Sequence, residues 1–220
     1  IPKNEELHCS DRSAYVHTTS NNTIWGTEWH HEPDAGGLPI VCDMSSDFLS
    51  RPVDVARYGL IYAGAQKNAG PAGVTVVIVR DDMLRLDKAA QDKLPIMMNY
   101  RTYVENKSMY NTPPVFPVYI VHLVLRWLLK FGGLAQMAEH NRQKAQFIYD
   151  VIDGVSGFYR GHATRDSRSL MNITFRLPSV ALEEQFAKEA KAAGMDGLKG
   201  HRSVGGIRAS VYNAFPIAGA

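Results

Sequence analysis

The stretch Tyr62-Ala63-Gly64-Ala65-Gln66-Lys67-Asn68-Ala69-Gly70 puts one basic side chain at the end of an apolar, strand-like run and surrounds it with small residues. Upstream, the carboxylate Asp43 ends a second apolar run, Leu38-Pro39-Ile40-Val41-Cys42. Downstream, Val74-Thr75-Val76-Val77-Ile78-Val79 is continuously apolar and β-branched with little alternation, the pattern of a strand in a sheet covered on both faces. Together with the strand candidate Tyr15-Val16-His17-Thr18, these runs predict an α/β chain built on a largely helix-covered sheet. An amine and an acid, each at the end of a central strand, suit a cofactor bound as a Schiff base at one end and charge-paired at the other. Glycine and alanine around Lys67 leave room for a flat ring beside the backbone. Partial desolvation beside a cationic ring would lower the amine's pKa and make it nucleophilic. Spacing alone does not identify the cofactor, and a surface lysine at a strand end is the plain alternative.

Between these strands, 20–23 reads as a polar turn, Glu32-Pro33-Asp34-Ala35-Gly36-Gly37 as a connection and 51–58 as a short helix or turn. Residues 81–95 read as helical or irregular, and 96–114 as loop ending in Asn111-Thr112-Pro113-Pro114. The texture changes near 116. Residues 116–130 predict a long buried helix stopped by Gly132-Gly133, and 134–152 a second helix with apolar residues near a 3.6 period. Strands are expected at 158–159, 171–177 and 206–212, and an amphipathic helix at 180–193 ending at Gly194. This tail suggests a smaller α+β domain, so we expect a boundary near 113–118, with 1–115 in a larger domain and 116–220 in the smaller one.

The balance of 24 Lys and Arg against 22 Asp and Glu gives a net charge of +2, and no aromatic-and-basic stripe tracks a nucleic-acid backbone. No nucleic acid partner is therefore expected. Cys9 and Cys42 are too few for a disulfide framework and read as reduced thiols of a cytoplasmic protein. No run of apolar residues is long enough to cross a bilayer, and no signal peptide opens the chain. No His/Asp spacing makes a convincing metal site, and the His30-His31 doublet would face opposite ways if extended.

Five segments carry a resemblance: Asp43-Met44-Ser45-Ser46-Asp47-Phe48-Leu49-Ser50-Arg51-Pro52-Val53-Asp54, Tyr62-Ala63-Gly64-Ala65-Gln66-Lys67-Asn68, Tyr110-Asn111-Thr112-Pro113-Pro114, Ser169-Leu170-Met171-Asn172-Ile173, and the run 198–213 containing Gly200-His201-Arg202 and Arg208. In these the chain resembles the phosphoserine aminotransferase family, class V members of the fold-type-I pyridoxal-phosphate enzymes, over nearly its whole length. The resemblance implies part of a large domain with a helix-covered, mostly parallel sheet, followed by a smaller α+β domain. It implies that Lys67 holds pyridoxal 5'-phosphate covalently and moves the proton at the substrate Cα, and that Asp43 pairs with the protonated pyridine nitrogen. Thr23 matches the hydroxyl that donates to the ring's phenolic oxygen, and Ser45 and Gln66 match positions lining the cofactor and its phosphate. Asn111 and Thr112 match residues that reach the neighbouring subunit's cofactor phosphate, which implies a homodimer. Arg208 matches the clamp on the substrate α-carboxylate, while His201 and Arg202 match residues recognising a phosphate or a distal carboxylate.

Structural alternatives stand beside each role: a cap after a strand for Asp43, a proline-terminated turn for Asn111 and Thr112, a solvated basic turn for His201, Arg202 and Arg208. The implied reaction exchanges an amino group between O-phospho-L-serine and 2-oxoglutarate, giving 3-phosphohydroxypyruvate and L-glutamate, in serine biosynthesis. A related aminotransferase or lyase, and a catalytically silent structural module, are the alternatives. The family carries further residues before the position of Ile1, including the glycine-rich phosphate cup and a ring-stacking aromatic, and a short piece after Ala220. The expectation is therefore an internal fragment that lacks a last helix and is inactive alone.

Overall fold

A computed structural model describes residues 1–84, 88–155 and 157–220. The expected strands assemble into a four-stranded sheet from β1 (Val16–Thr19), β4 (Ile40–Asp43), β5 (Leu60–Gly64) and β6 (Thr75–Val79), in that spatial order. The first three run parallel and β6 is antiparallel to β5, so the sheet is mostly parallel as expected. Residues 21–28, expected to begin as a plain turn, form instead a small antiparallel ribbon of β2 (Asn21–Asn22) and β3 (Thr27–Glu28). Gly26 closes it at φ +66°, a conformation glycine adopts without strain. A Cβ there would come within 2.6 Å of the Asn172 carbonyl oxygen, so the ribbon lies hard against the later part of the chain.

One face of the sheet is dry. Ile40, Cys42, Ile61 and Ala63 pack there with Met44 and Tyr58, the alternate positions of each strand. The cover comes from the segments around Ala35 and Phe48 rather than from long helices. The continuous apolar run of β6 is not covered on both faces: Val77 and Ile78 are exposed at the sheet's edge. A run without alternation reports tolerance of burial and does not by itself supply a covering layer.

After α1 (Lys88–Gln91), the segment expected to be loop contains a short helix, α2 (Tyr100–Glu105), capped by the Asn99 side chain accepting from the Arg101 amide (3.0 Å). The long helices follow as α3 (Val115–Phe131) and α4 (Gly133–Gly154), separated at Gly132, whose φ of +122° ends the first and turns the chain into the second. Against expectation, α3 is not a buried helix. Only Val121 and Leu128 are buried, while Val115, Phe116, Tyr119 and Leu129 are exposed, because its neighbours, α4 and the turn at Gly70, meet one side of it.

A second sheet holds β7 (Arg160–Gly161), β8 (Asn172–Arg176) and β9 (Ile207–Ser210), all antiparallel, with α5 (Val180–Ala192) between the last two. The strand expected at 158–159 lies two residues later, where the Arg160 and Gly161 backbones pair with Arg176 and Phe175. Ser179 caps α5 through its side chain, and Gly194 (φ +89°) follows its end. Ala145, Tyr149 and Ile152 of α4 form the core of this part with Ile173, Phe175 and Ile207. Among the described residues no single helix is long and apolar enough to cross a membrane.

Behind the two-stranded ribbon, two buried carboxylates share one guanidinium. Arg51 lies 3.7 Å from Glu28 and 3.9 Å from Asp47; the Ser20 hydroxyl donates to Asp47, and the Leu170 amide donates to Glu28 (2.7 Å). Burial pushes the Asp47 carboxyl up to about 7, with the Glu28 charge adding to it, and burial raises Glu28 as well. A raised native pKa means that folding takes up a proton between about pH 3.8 and 7. Asp47 therefore contributes stability that is full below its unfolded pKa and is lost as pH rises through about 7. Asp47→Asn is expected to flatten the fall in unfolding free energy across that window, measured by urea denaturation at a series of pH values. Parallel curves for the two proteins would show that Asp47 does not titrate there.

Candidate active site

The strand order puts the ends of β4 and β5 side by side, with Asp43 in register with Tyr62 and with Thr19 of β1. Asp43 ends β4 half-buried, and its Oδ1 accepts from the Ser45 amide (2.8 Å). It thus caps the following turn, as the structural alternative anticipated, and lies close enough to Lys67 to act on it electrostatically. Ser45 Oγ accepts from the Gly64 amide (3.0 Å), tying the turn after β4 to the end of β5. Lys67 sits three residues past β5 in a turn whose Ala65 and Ala69 are buried against Val121 of α3. A Cβ on Gly70 would come 2.8 Å from a Val121 methyl, so this close approach requires glycine.

The Lys67 amine donates to the Thr23 hydroxyl at 2.6 Å. Thr23 stands in the turn of the β2–β3 ribbon, which buried asparagine contacts pin in place. Asn21 Nδ2 donates to Ser46 Oγ (2.9 Å) and Asn172 Oδ1 (2.8 Å), and Thr174 Oγ1 donates to the Trp25 carbonyl (2.8 Å). On the opposite side, Arg208 of β9 donates through Nη1 to the Thr23 carbonyl (3.3 Å), and its Nε is buried without a partner. Burial is the largest cause lowering the Lys67 pKa; the Asp43 charge opposes it and the Arg208 charge adds to it. The amine is therefore neutral at lower pH than a free lysine, beside a hydroxyl, a carboxylate and a guanidinium.

Lys67, Thr23, Asp43, Ser45 and Arg208 are thus brought together. Gln66 is exposed, its side chain folded over Gly64, where a Cβ would meet Gln66 Oε1 at 2.7 Å. Asn111 and Thr112 are exposed before α3, and Asn111 Nδ2 donates to the Thr112 carbonyl (3.1 Å). His201 and exposed Arg202 occupy the turn before β9, where His201 Nδ1 and Ser203 Oγ are 2.7 Å apart. Among the described residues these four make no hydrogen bond to Lys67, Thr23, Asp43 or Arg208. The turn depends on glycine, because a Cβ on Gly200 would lie 2.0 Å from the Gly205 carbonyl oxygen.

One pair was not anticipated. His17 Nε2 and the Tyr62 hydroxyl are 3.0 Å apart on the sheet face that carries Asp43. Burial, followed by the Asp43 charge, raises the Tyr62 pKa. The available signal was alternation: His17 and Thr19 share a face, as do Val41 and Asp43.

The chemistry of this set fits pyridoxal phosphate. An amine with lowered proton affinity suits covalent attachment, a carboxylate at a strand end suits a ring nitrogen, and a threonine hydroxyl suits a phenolic oxygen. The orphaned Arg208 Nε leaves a buried donor aimed at no protein acceptor, as a carboxylate clamp requires.

Comparison with known proteins agrees with this chemistry. The family model described as aminotransferase class-V matches residues 2–218. A phosphoserine aminotransferase of Herpetosiphon aurantiacus is 58% identical over 219 residues, covering 100% of this chain and 60% of the relative. The solved phosphoserine aminotransferase from Bacillus circulans subsp. alkalophilus superposes with a TM-score of 0.95 at 54% identity, covering 100% of this chain and 60% of that one. A PLP-bound phosphoserine aminotransferase from Trichomonas vaginalis gives a TM-score of 0.91 at 38% identity, over 100% of this chain and 61% of its own. The chain spans about 60% of the length of these curated relatives. Matched over residues 2–218 by that model, the chain belongs to the class-V aminotransferase family, whose cofactor is pyridoxal phosphate.

Proposed function

We propose that this chain carries the cofactor-attachment and carboxylate-clamping parts of a phosphoserine aminotransferase. The enzyme moves an amino group between O-phospho-L-serine and 2-oxoglutarate, giving 3-phosphohydroxypyruvate and L-glutamate. The observation that carries this proposal is the Lys67 amine held on Thr23, with Arg208 bonded to the same residue from the other side. When bound, pyridoxal phosphate supplies an electrophilic carbon for the amino group and a ring that accepts electrons from Cα. Lys67 would hold it, Asp43 would pair with its ring nitrogen and Thr23 with its phenolic oxygen; Ser45 and Gln66 would line it.

The residues of the chain then divide the work. Arg208 grips the substrate α-carboxylate with a planar fork, which fixes Cα beside the Lys67 amine. The amine, whose pKa is lowered by burial, takes the Cα proton and later returns it. Asp43 would stabilise a positive charge on the ring nitrogen. His201 and Arg202 offer positive or donor groups to the distal anion, a phosphate in one substrate and a carboxylate in the other.

On this proposal residues 1–115 belong to the cofactor-binding domain and 116–220 to the smaller one. The four-stranded sheet lying wholly before residue 80, and the three-stranded sheet wholly after 159, support that division. Two copies pair, with Asn111 and Thr112 reaching the neighbour's cofactor phosphate, in keeping with their exposure beside exposed Tyr110, Val115 and Phe116.

The test is turnover by the full-length holoenzyme. Phosphoserine with 2-oxoglutarate should yield glutamate, and absence of glutamate would reject the proposal. Arg202→Gln should lower kcat/KM for phosphoserine by about 10- to 100-fold, the worth of one charge-assisted contact. It should cost alanine, which has no distal anion, much less. Equal losses for both substrates would assign Arg202 a structural role instead.

A further inference from the structure

Three asparagines far apart in sequence meet behind the lysine turn. Asn68, next to Lys67, donates through Nδ2 to the Phe48 carbonyl (2.7 Å) and accepts through Oδ1 from the Asn213 amide (2.9 Å). Asn213 donates through its own Nδ2 to the Leu49 carbonyl (2.9 Å). Asn141 of α4 donates to Asn213 Oδ1 (2.8 Å) and to the Ser50 carbonyl (3.1 Å). All three side chains are buried, and Leu49 is held at φ +65° among them. One turn along α4, Lys144 is wholly buried and donates to the carbonyls of Val211 (3.0 Å) and Tyr212 (2.7 Å). Each of residues 211–213 therefore has a backbone group held by a buried side chain, immediately after the strand that carries Arg208.

The links close a ring. Lys67 reaches Thr23 through its amine, Thr23 reaches Arg208 through its carbonyl, the chain runs from Arg208 past the end of β9 to Asn213, and Asn213 returns through Asn68 to Lys67. A buried amide that loses a partner is costly, so the asparagines hold one arrangement rather than several. We propose that Asn68 and Asn213, with Asn141 behind them, are positioning residues that set the Lys67 amine relative to the Arg208 guanidinium while touching neither substrate nor cofactor. This rests on the roles given above to Lys67 and Arg208. A substrate held by its carboxylate on Arg208 presents Cα to the amine only if that separation is kept, and a misplacement of about 1 Å costs about 100-fold in rate.

The variants are Asn68→Ala, which removes both bonds of that side chain, and Asn213→Ala, which removes the links to Leu49 and Asn141. In the full-length holoenzyme, each should lower kcat per folded site by about 10- to 100-fold with the amino-acid KM changed less than about threefold, since the clamp itself is intact. Asn68→Asp, which keeps the acceptor for the Asn213 amide, should recover part of that loss. The double alanine variant should be little worse than either single one, because both loosen the same segment, Asn68→Ala at the Asn213 backbone amide and Asn213→Ala at its side chain. A second readout is independent of turnover. Before cofactor is added, acylation of Lys67 by a small amine reagent, followed by peptide mass spectrometry across pH, should show the amine's pKa moving up towards that of a free lysine in Asn68→Ala. If the unsubstituted protein does not turn over phosphoserine, the proposed function fails while the acylation profile still decides the positioning role. Unchanged kcat with an unchanged acylation profile, additive losses in the double variant, or a loss carried by KM would overturn it. If Asn68→Ala does not fold, Asn68→Asp and Asn213→Ala carry the same comparison.

Discussion

Lys67→Ala is expected to abolish transamination. On the roles proposed for it, the substitution removes the amine that attaches the cofactor and the base that moves the Cα proton, and the lost proton transfer alone is worth about 10²–10⁴-fold. Neither the Thr23 hydroxyl nor the Arg208 guanidinium can substitute. The Thr23 hydroxyl, which accepts from the amine, is not basic enough, and the Arg208 side chain carries hydrogen-bond donors and no acceptor. The fold should survive, because Lys67 is half-buried and the turn is held by Asn68 and by the Ala69 and Gly70 amides donating to the Ala65 carbonyl (3.0 and 2.8 Å). Single-turnover assays and circular dichroism on one preparation make the check: native spectra with no product are expected, and product at the unsubstituted rate would remove Lys67 from the chemistry.

The second large effect is expected at Asp43. Asp43→Ala should lower the rate of the half-reaction by about 10²–10³-fold at saturating substrate, the loss typical of one preorganised electrostatic partner. Substrate affinity should change little, since the proposed clamp on the carboxylate is Arg208 and not Asp43. The same change acts on Lys67 in a direction that can be stated. Asp43 raises the amine's pKa and Arg208 lowers it. In cofactor-free protein, Asp43→Ala should therefore push the Lys67 pKa further down, and Arg208→Ala should push it up. Titration of Lys67 reactivity by mass spectrometry reads both signs, and shifts in the same direction would refute this account of the site's electrostatics.

Much of this site was legible because its chemistry stands at strand ends. Asp43 and Lys67 each close an apolar run, and the structure places them at the end of β4 and just beyond β5, on adjacent parallel strands. Thr23 was not legible from the residues and came from resemblance. The strands that present it are two residues long, too short for any periodicity to show, and they form because Asn21, Gly26 and Thr174 lock them against β8. The covered β6 and the buried α3 were misread for one shared reason. Apolar composition says that a surface can be buried but not by what, and the outer sides of both elements are exposed in this chain. The helix α2 arises at Asn99, a cap that aromatic and β-branched residues after it concealed. The asparagine network was beyond reach in sequence, because Asn68 and Asn213 lie 145 residues apart and polar residues in turns carry no pattern.

The central claim, that Lys67 is the residue through which this chain holds pyridoxal phosphate, is tested most directly by trapping. The full-length protein loaded with cofactor is reduced with borohydride, digested and mapped by mass spectrometry. The account predicts the added mass on the peptide containing Gln66-Lys67-Asn68, on Lys67 alone. Stable addition to any other lysine, with Lys67 unmodified, would contradict it.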